Sequence, residues 1–250
     1  MDKDTIFLVK TVYNASLMIT DDFFIACKDE HGDLVTNFDL EIERYLIDKI
    51  NESYPTFDII SEEFNPMNEL TKNCFVIDPV DGTINFAHGL PLWGIQVAMI
   101  KNGKPVVAII YLPKLGELFY ANETGAYIIE RPTGCEDEIL TKSKKISVSK
   151  TESNRALYLV EGGDKFPALG RMNKDVSRHW RYYCCTAVNH AWTACGRLGG
   201  AILRKDNVWD YLPGQYLTKQ AGGVVINKKG AHVVANSKEM AKLLVKKGKL

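Results

Sequence analysis

The chain has 250 residues, 31 basic and 31 acidic side chains, and a formal net charge of zero. Such a chain has no broad positive field to gather a nucleic acid polymer or an anionic membrane, so any charged ligand must be held by a local site. Its length suits one large domain or two packed halves, with enough buried surface to need no disulfide staples.

The spacing of Ile6, Val9, Tyr13, Leu17 and Phe24 predicts a helix over residues 4–26. Asp33-Leu34-Val35-Thr36 breaks that pattern, and a second helix is predicted over 39–50, stopped by Pro55. Phe57–Ile60 and Asn73–Ile77 read as short strands, each running into acidic residues. Strands are predicted over 92–100, 105–112, 117–121 and 125–129, with Asn102-Gly103 as a tight hairpin turn. Residues 131–155 are polar and strand-poor, which places the expected division of the chain at 145/146. Beyond it, strands at 156–160, 180–183, 200–203 and 224–226 alternate with helices at 186–195, 210–220 and 237–247. The expected class is α/β, with an α+β first half over 1–145 and an α/β second half over 146–250.

The cysteines at 27, 74, 135, 184, 185 and 195 form no Cys-x-x-Cys pair, so a zinc ribbon has no support. They read as reduced, mostly buried thiols. The acidic opening Met1-Asp2-Lys3-Asp4 argues against a secretory leader. The longest apolar run, Val106–Leu112, falls far short of the roughly 18 residues of a membrane span. A cytoplasmic location is expected.

Three acidic features sit where an apolar element begins or ends: Ser61-Glu62-Glu63, Asp78-Pro79-Val80-Asp81-Gly82-Thr83, and Trp209-Asp210. Carboxylates at strand ends beside a glycine turn suit a hard divalent cation, which takes oxygen ligands. Pro79 fixes the backbone between the two aspartates, Gly82 permits a sharp turn, and Thr83 opens a short helix whose N–H groups face outward. An EF-hand is excluded. With Asp78 as the first loop position, the third is Val80 and the twelfth Gly89. Zinc-protease and P-loop motifs are absent.

The string from Asp78 to Pro91 reads Asp-Pro-Val-Asp-Gly-Thr-Ile-Asn-Phe-Ala-His-Gly-Leu-Pro. It resembles the signature of the inositol monophosphatase family of metal-dependent, lithium-sensitive phosphatases at every defining position. Trp209-Asp210 with Ala221-Gly222-Gly223 is similar to the family's second signature. Ser61-Glu62-Glu63 and Asp33-Leu34-Val35-Thr36-Asn37-Phe38-Asp39 match two further segments, in the family's order.

The resemblance implies a layered αβαβα sandwich of the inositol monophosphatase/fructose bisphosphatase type and hydrolysis of a phosphate monoester by metal-activated water. It implies two to three Mg²⁺ ions, with Mn²⁺ as the alternative, on Glu62, Asp78, the Val80 carbonyl, Asp81 and Asp210. Catalytic roles would fall to Thr83, Asp39 and Glu62. Substrate contacts would come from Asp81, Gly82, Thr83, Ala187, Arg204 and Asp210. Lys28 lies where the family often carries a lysine near the site. Glu63 reads as facing away from the metal, because neighbours on an extended segment point to opposite sides. The implied partners are a small phosphorylated metabolite and a second copy of the chain. Inositol monophosphates, fructose 1,6-bisphosphate, nucleotide 3′-phosphates and histidinol phosphate are the candidate substrates. The substrate side departs from the pattern: Leu203 stands where inositol-specific members place a glutamate, with Arg204 and Lys205 next to it. A non-catalytic metal- or phosphate-binding regulator and a structural Ca²⁺-binding domain are the readings of other classes.

Overall fold

The computed structural model describes residues 2–20, 22–28, 34–151, 156–161, 179–203, 207–228 and 230–248. The first helix, α1 (Lys3–Ser16), is capped by Asp2, whose side chain accepts the Thr5 N–H. It ends ten residues earlier than its apolar spacing predicts. Leu17 and Phe24, expected on its buried face, are exposed, and Ile25–Cys27 forms strand β1, paired with β2 (Leu34–Thr36). Thr36 then caps α2 (Asn37–Ser53) in a capping box with Asp39.

The seven-stranded sheet follows the order β3 (Asp58–Ser61), β4 (Cys74–Asp81), β5 (Gly94–Lys101), β6 (Lys104–Leu112), β7 (Glu117–Asn122), β8 (Gly125–Glu130) and β9 (Lys144–Lys145). Only β3 and β4 are parallel; the rest is an antiparallel meander. Helix α3 (Thr83–Ala87) follows β4, and α4 (Glu136–Lys142) lies in the polar stretch read as strand-poor. The second half supplies a five-stranded sheet ordered β11 (Trp180–Arg181), β10 (Tyr158–Glu161), β12 (Gly200–Leu203), β14 (Ala231–Ala235) and β13 (Val224–Lys228). Strand β14 was invisible to a period-two reading because all five of its residues are buried. The remaining helices are α5 (Thr186–Ala194), α6 (Val208–Gln220) and α7 (Lys238–Gly248).

Side-chain alternation sorts these elements into layers. Phe75, Ile77, Ile95, Val97, Ile109 and Tyr120 face one way, into a core with Leu8, Val12, Ile42 and Leu46 of α1 and α2. Val76, Ala98, Ala108, Ile110 and Phe119 face the other way, onto α5 and α6 through Ala187, Val188, Trp209 and Leu217. The far side of α5 meets the second sheet at Trp192, Leu159, Ala201 and Val234. That sheet's outer face packs on α7 through Val160, Ile202, Val233, Met240 and Leu244. The order is αβαβα. Among the described residues, strands of the seven-stranded sheet come from residues 58–145 and of the five-stranded sheet from 158–235.

The middle helical layer is tightly closed. A Cβ on Gly214 of α6 would lie 2.0 Å from His190 Cγ of α5. His190 is fully buried, its Nδ1 is 2.9 Å from the Thr186 carbonyl, and its Nε2 has no partner among the described residues. Burial lowers its pKa from 6.5 to about 3. Between those values the unfolded chain carries a proton there that the folded chain rejects. Stability is therefore lost as pH falls through that window, by about 1.4 kcal/mol per pH unit. Urea midpoints at pH 7, 6 and 5 are expected to fall less steeply in His190→Gln than in the wild type. Equal slopes would show that His190 does not carry the effect.

Candidate metal and phosphate site

The site begins with a change of register in β4. Asp78 pairs with Gln96 and Asp81 with Gly94, so Pro79 and Val80 together oppose Ile95 alone. This is a β-bulge. Pro79 has no N–H to give, and β4 has lost its β3 neighbour after Ile77, so the ladder tolerates proline here. The extra residue reverses the strand's alternation. Ile77 and Val80 share the core under α1 and α2, which puts Asp78 and Asp81 on the opposite face, toward α5 and α6. The sequence reading ends this strand at Ile77; it runs through Asp81.

Asp210 comes to the same face from the first turn of α6, which is anchored by Trp209 against Ile60, Val76 and Ala98. Asp78, Asp81 and Asp210 are all buried, and each offers a carboxylate oxygen within 4.8 Å of the others'. Three carboxylates so close in a low-dielectric pocket repel one another, and a cation relieves that repulsion. The cluster can hold a metal ion.

Asp81 also ties the first sheet to the middle layer. Its Oδ2 accepts from Thr186 Oγ1 at 2.9 Å, Gln96 Nε2 at 3.2 Å, Cys185 Sγ at 3.3 Å and the Ala187 N–H. Cys185, the N-cap residue of α5, gives its helix no side-chain cap, so Asp81 caps α5 from another layer. Ala187, expected among the substrate contacts, gives its N–H to Asp81.

Gly82 follows with φ +88°, and a Cβ there would sit 3.0 Å from the Leu92 carbonyl oxygen and 3.2 Å from Cys185 Cβ. Only glycine suits both the conformation and the space. Thr83 Oγ1 donates toward the Val80 carbonyl at 2.9 Å and lies 3.3 Å from Asp39 Oδ1. The other oxygen of Asp39 accepts from the N–H and hydroxyl of Thr36. Burial raises the Asp39 pKa to about 6, against the lowering effect of those hydrogen bonds and of Lys28. Asn85 Nδ2 donates to the carbonyls of Leu92 and Tyr183, holding the entry to α5 against this turn.

Glu62 is not one of the three carboxylates that meet within 4.8 Å. Lys28 Nζ donates to Glu62 Oε1 at 2.8 Å and also to Glu63. β3 ends at Ser61 and the backbone bends, so Glu62 and Glu63 do not take the opposite sides that neighbours on an extended segment take. Both carboxylates converge on one ammonium. Burial raises the Glu63 pKa to about 7 despite Lys28. Burial alone would lower the Lys28 pKa; the two glutamates overcome it and raise it. Glu43 of α2, fully buried, accepts the N–H groups of Glu63 at 2.9 Å and Phe64 at 2.7 Å and so fixes the bend.

Arg204, Lys205 and Asp33 lie outside the described residues. His88 turns its Nδ1 to the Ile84 carbonyl of its own helix. No disulfide forms among the described residues, and all six cysteines are thiols. Among the described residues no helix is long and apolar enough to cross a membrane. The sequence reading missed Gln96 and Glu43 as site neighbours. Their only signal was polarity at positions that alternation or helical period assigns to the interior.

Residues 1–247 match the model of the inositol monophosphatase family. The fructose-1,6-bisphosphatase/inositol-1-monophosphatase of Thermotoga maritima is 33% identical over 207 residues, 82% of this chain and 76% of that protein. The Escherichia coli Nus factor SuhB is 29% identical over 221 residues, 85% of this chain and 79% of that one. Among solved structures, a Thermotoga maritima IMPase aligns with a TM-score of 0.80 at 27% identity, over 98% of this chain and 97% of that chain. The match runs through both sheets and every element that brings Asp78, Asp81 and Asp210 together, and the chain belongs to the inositol monophosphatase family of phosphoric monoester hydrolases.

Proposed function

We propose that the chain is a Mg²⁺-dependent phosphomonoesterase acting on a small phosphorylated metabolite, an inositol monophosphate or a related sugar phosphate, in the cytoplasm and as a homodimer. The observation that carries this reading is the meeting of Asp78, Asp81 and Asp210 in one buried cluster. Its donor set is all oxygen, which fits Mg²⁺ or Mn²⁺ and gives a soft metal no thiolate or imidazole. These three aspartates, the Val80 carbonyl and Glu62 would hold the cation. When bound, it supplies positive charge against the phosphate and its leaving oxygen and acidifies water.

The chain's own groups do the rest. The Asp39 carboxylate faces the Thr83 hydroxyl, and this pair orients an attacking water and takes its proton. The N–H groups of Gly82 and Thr83, turned by the left-handed glycine, hold phosphate oxygens. Asp81, fixed at one oxygen by four donors, keeps the other for its ligand. Leu203 is a buried aliphatic side chain with no hydroxyl-reading capacity, and this supports a preference for substrates carrying a second anion, read by Arg204. The presence of Asp39, Thr83 and all three aspartates together favours turnover over a purely regulatory role.

The test is phosphate release from inositol 1-phosphate, fructose 1,6-bisphosphate, a nucleotide 3′-phosphate and histidinol phosphate. Release is expected with Mg²⁺, not with Ca²⁺ or EDTA. Thr83→Ala is expected to lower kcat about a hundredfold, with Thr83→Ser recovering most of it. No release from any of the four with Mg²⁺ overturns the reading.

A further inference from the structure

Gln96 lies on β5 opposite Asp78, on the face that carries the acidic cluster, and is fully buried. Its Nε2 donates to Asp81 Oδ2 at 3.2 Å and to Thr186 Oγ1 at 3.0 Å. Thr186 passes its own proton to the same Asp81 oxygen. This chain of donors fixes the orientation of the amide. A carboxylate oxygen has no proton to give, and Thr186 has used its one, so nitrogen must face both. The opposite end, Oε1, is buried and has no donor among the described residues.

Left as an orphan, that oxygen destabilises the fold; leucine or methionine at 96 would avoid the penalty. The amide earns its place only through what its nitrogen does to Asp81. Among the described residues Asp81 Oδ2 accepts from four donors and Oδ1 from none. Three of those donors belong to α5 and its N-cap; Gln96 alone comes from the sheet that carries Asp81. It ties the carboxylate to its own sheet against the three donors on the α5 side.

We propose that Gln96 is a positioning residue of the cation site: it sets the affinity for a divalent metal by locking the orientation of Asp81, at the expense of an unsatisfied oxygen. This rests on the reading that Asp78, Asp81 and Asp210 hold a divalent cation. It makes two measurements move in opposite directions, which a merely structural residue does not do. Losing the amide should weaken metal binding while leaving the metal-free protein as stable as before, or more so.

The experiment titrates the full chain with Mn²⁺ by calorimetry, without substrate, and measures thermal unfolding in EDTA, for wild type, Gln96→Leu and Gln96→Met. The Mn²⁺ dissociation constant is expected to rise about 10- to 100-fold in both variants, the range for loss of a group that orients a ligand. The unfolding temperature in EDTA is expected not to fall. Dissociation constants within twofold of wild type overturn the role of Gln96 and leave the cation reading standing. Unfolding at clearly lower temperature in EDTA, or failure of both variants to fold, also overturns it, because Gln96 is then a residue of the core. A wild type that binds no Mn²⁺ removes the cation reading itself.

Discussion

Asp210→Asn is expected to lower turnover by about a thousandfold or more, while the metal-free protein unfolds at the same or a higher temperature. The first effect follows from the proposed metal chemistry, where a misplaced cation fails to stabilise the leaving oxygen; a thousandfold is about 4 kcal/mol of transition-state stabilisation. The second follows from the geometry. Three buried carboxylates within 4.8 Å repel one another, and neutralising one relieves that repulsion. Asp78→Asn should behave alike. Asp81→Asn should differ, since its Oδ2 also caps α5 and accepts from Thr186 and Gln96; the amide loses the charge that favours a helix N-terminus. That variant is expected to lose activity and also about 1 kcal/mol of stability. Steady-state kinetics at saturating Mg²⁺ and calorimetry in EDTA separate the cases. Wild-type turnover in Asp210→Asn sinks its assignment.

Gly214→Ala is expected to destabilise the protein by about 3 kcal/mol or more, overpacking at the severe end of its range. The new methyl would fall 2.0 Å from His190 Cγ and 2.4 Å from His190 Cβ. His190 is fully buried between helices, and its ring has nowhere to go. For a chain of this length the unfolding temperature should drop by roughly 6–12 °C. Adding His190→Ala removes the obstacle. The double variant should be more stable than the sum of the two single changes, and denaturant unfolding of all four proteins measures that coupling. Additive effects would show that the helices separate instead of clashing.

The meander from Gly94 to Glu130 was legible because its strands are bounded by turn residues such as Asn102-Gly103 and their lengths suit strands. The end of α1 was not, since Leu17 and Phe24 continue the apolar stripe while the chain itself leaves the helix after Ser16. The meeting of Asp78, Asp81 and Asp210 was legible as motifs at element ends, although the reason for it was not. A proline between two aspartates reads as a break, and only the pairing with β5 reveals a strand that continues through it. Glu62 was grouped with the aspartates from its motif, which carries no sign of its ion pair with Lys28. Gln96 and Glu43 carry no motif at all. Sheet register and helix packing bring them to the site, and neither is written locally in the chain.

The bulge at Pro79 and Val80 makes the chemistry of β4 a matter of counting. Asp78 and Asp81 are three residues apart, an odd separation that in a regular strand sends two side chains to opposite faces. The extra residue of the bulge returns Asp81 to the side of Asp78. With the same residues paired regularly, Asp81 would turn into the apolar layer of Phe38, Phe86 and Trp93, where an isolated carboxylate cannot stay charged. Deleting Pro79 or Val80 makes the separation even and removes the bulge, so both carboxylates still share a face. The odd spacing and the bulge are a matched pair: the two aspartates face the same way while both are present or both are gone, and part when only one is changed.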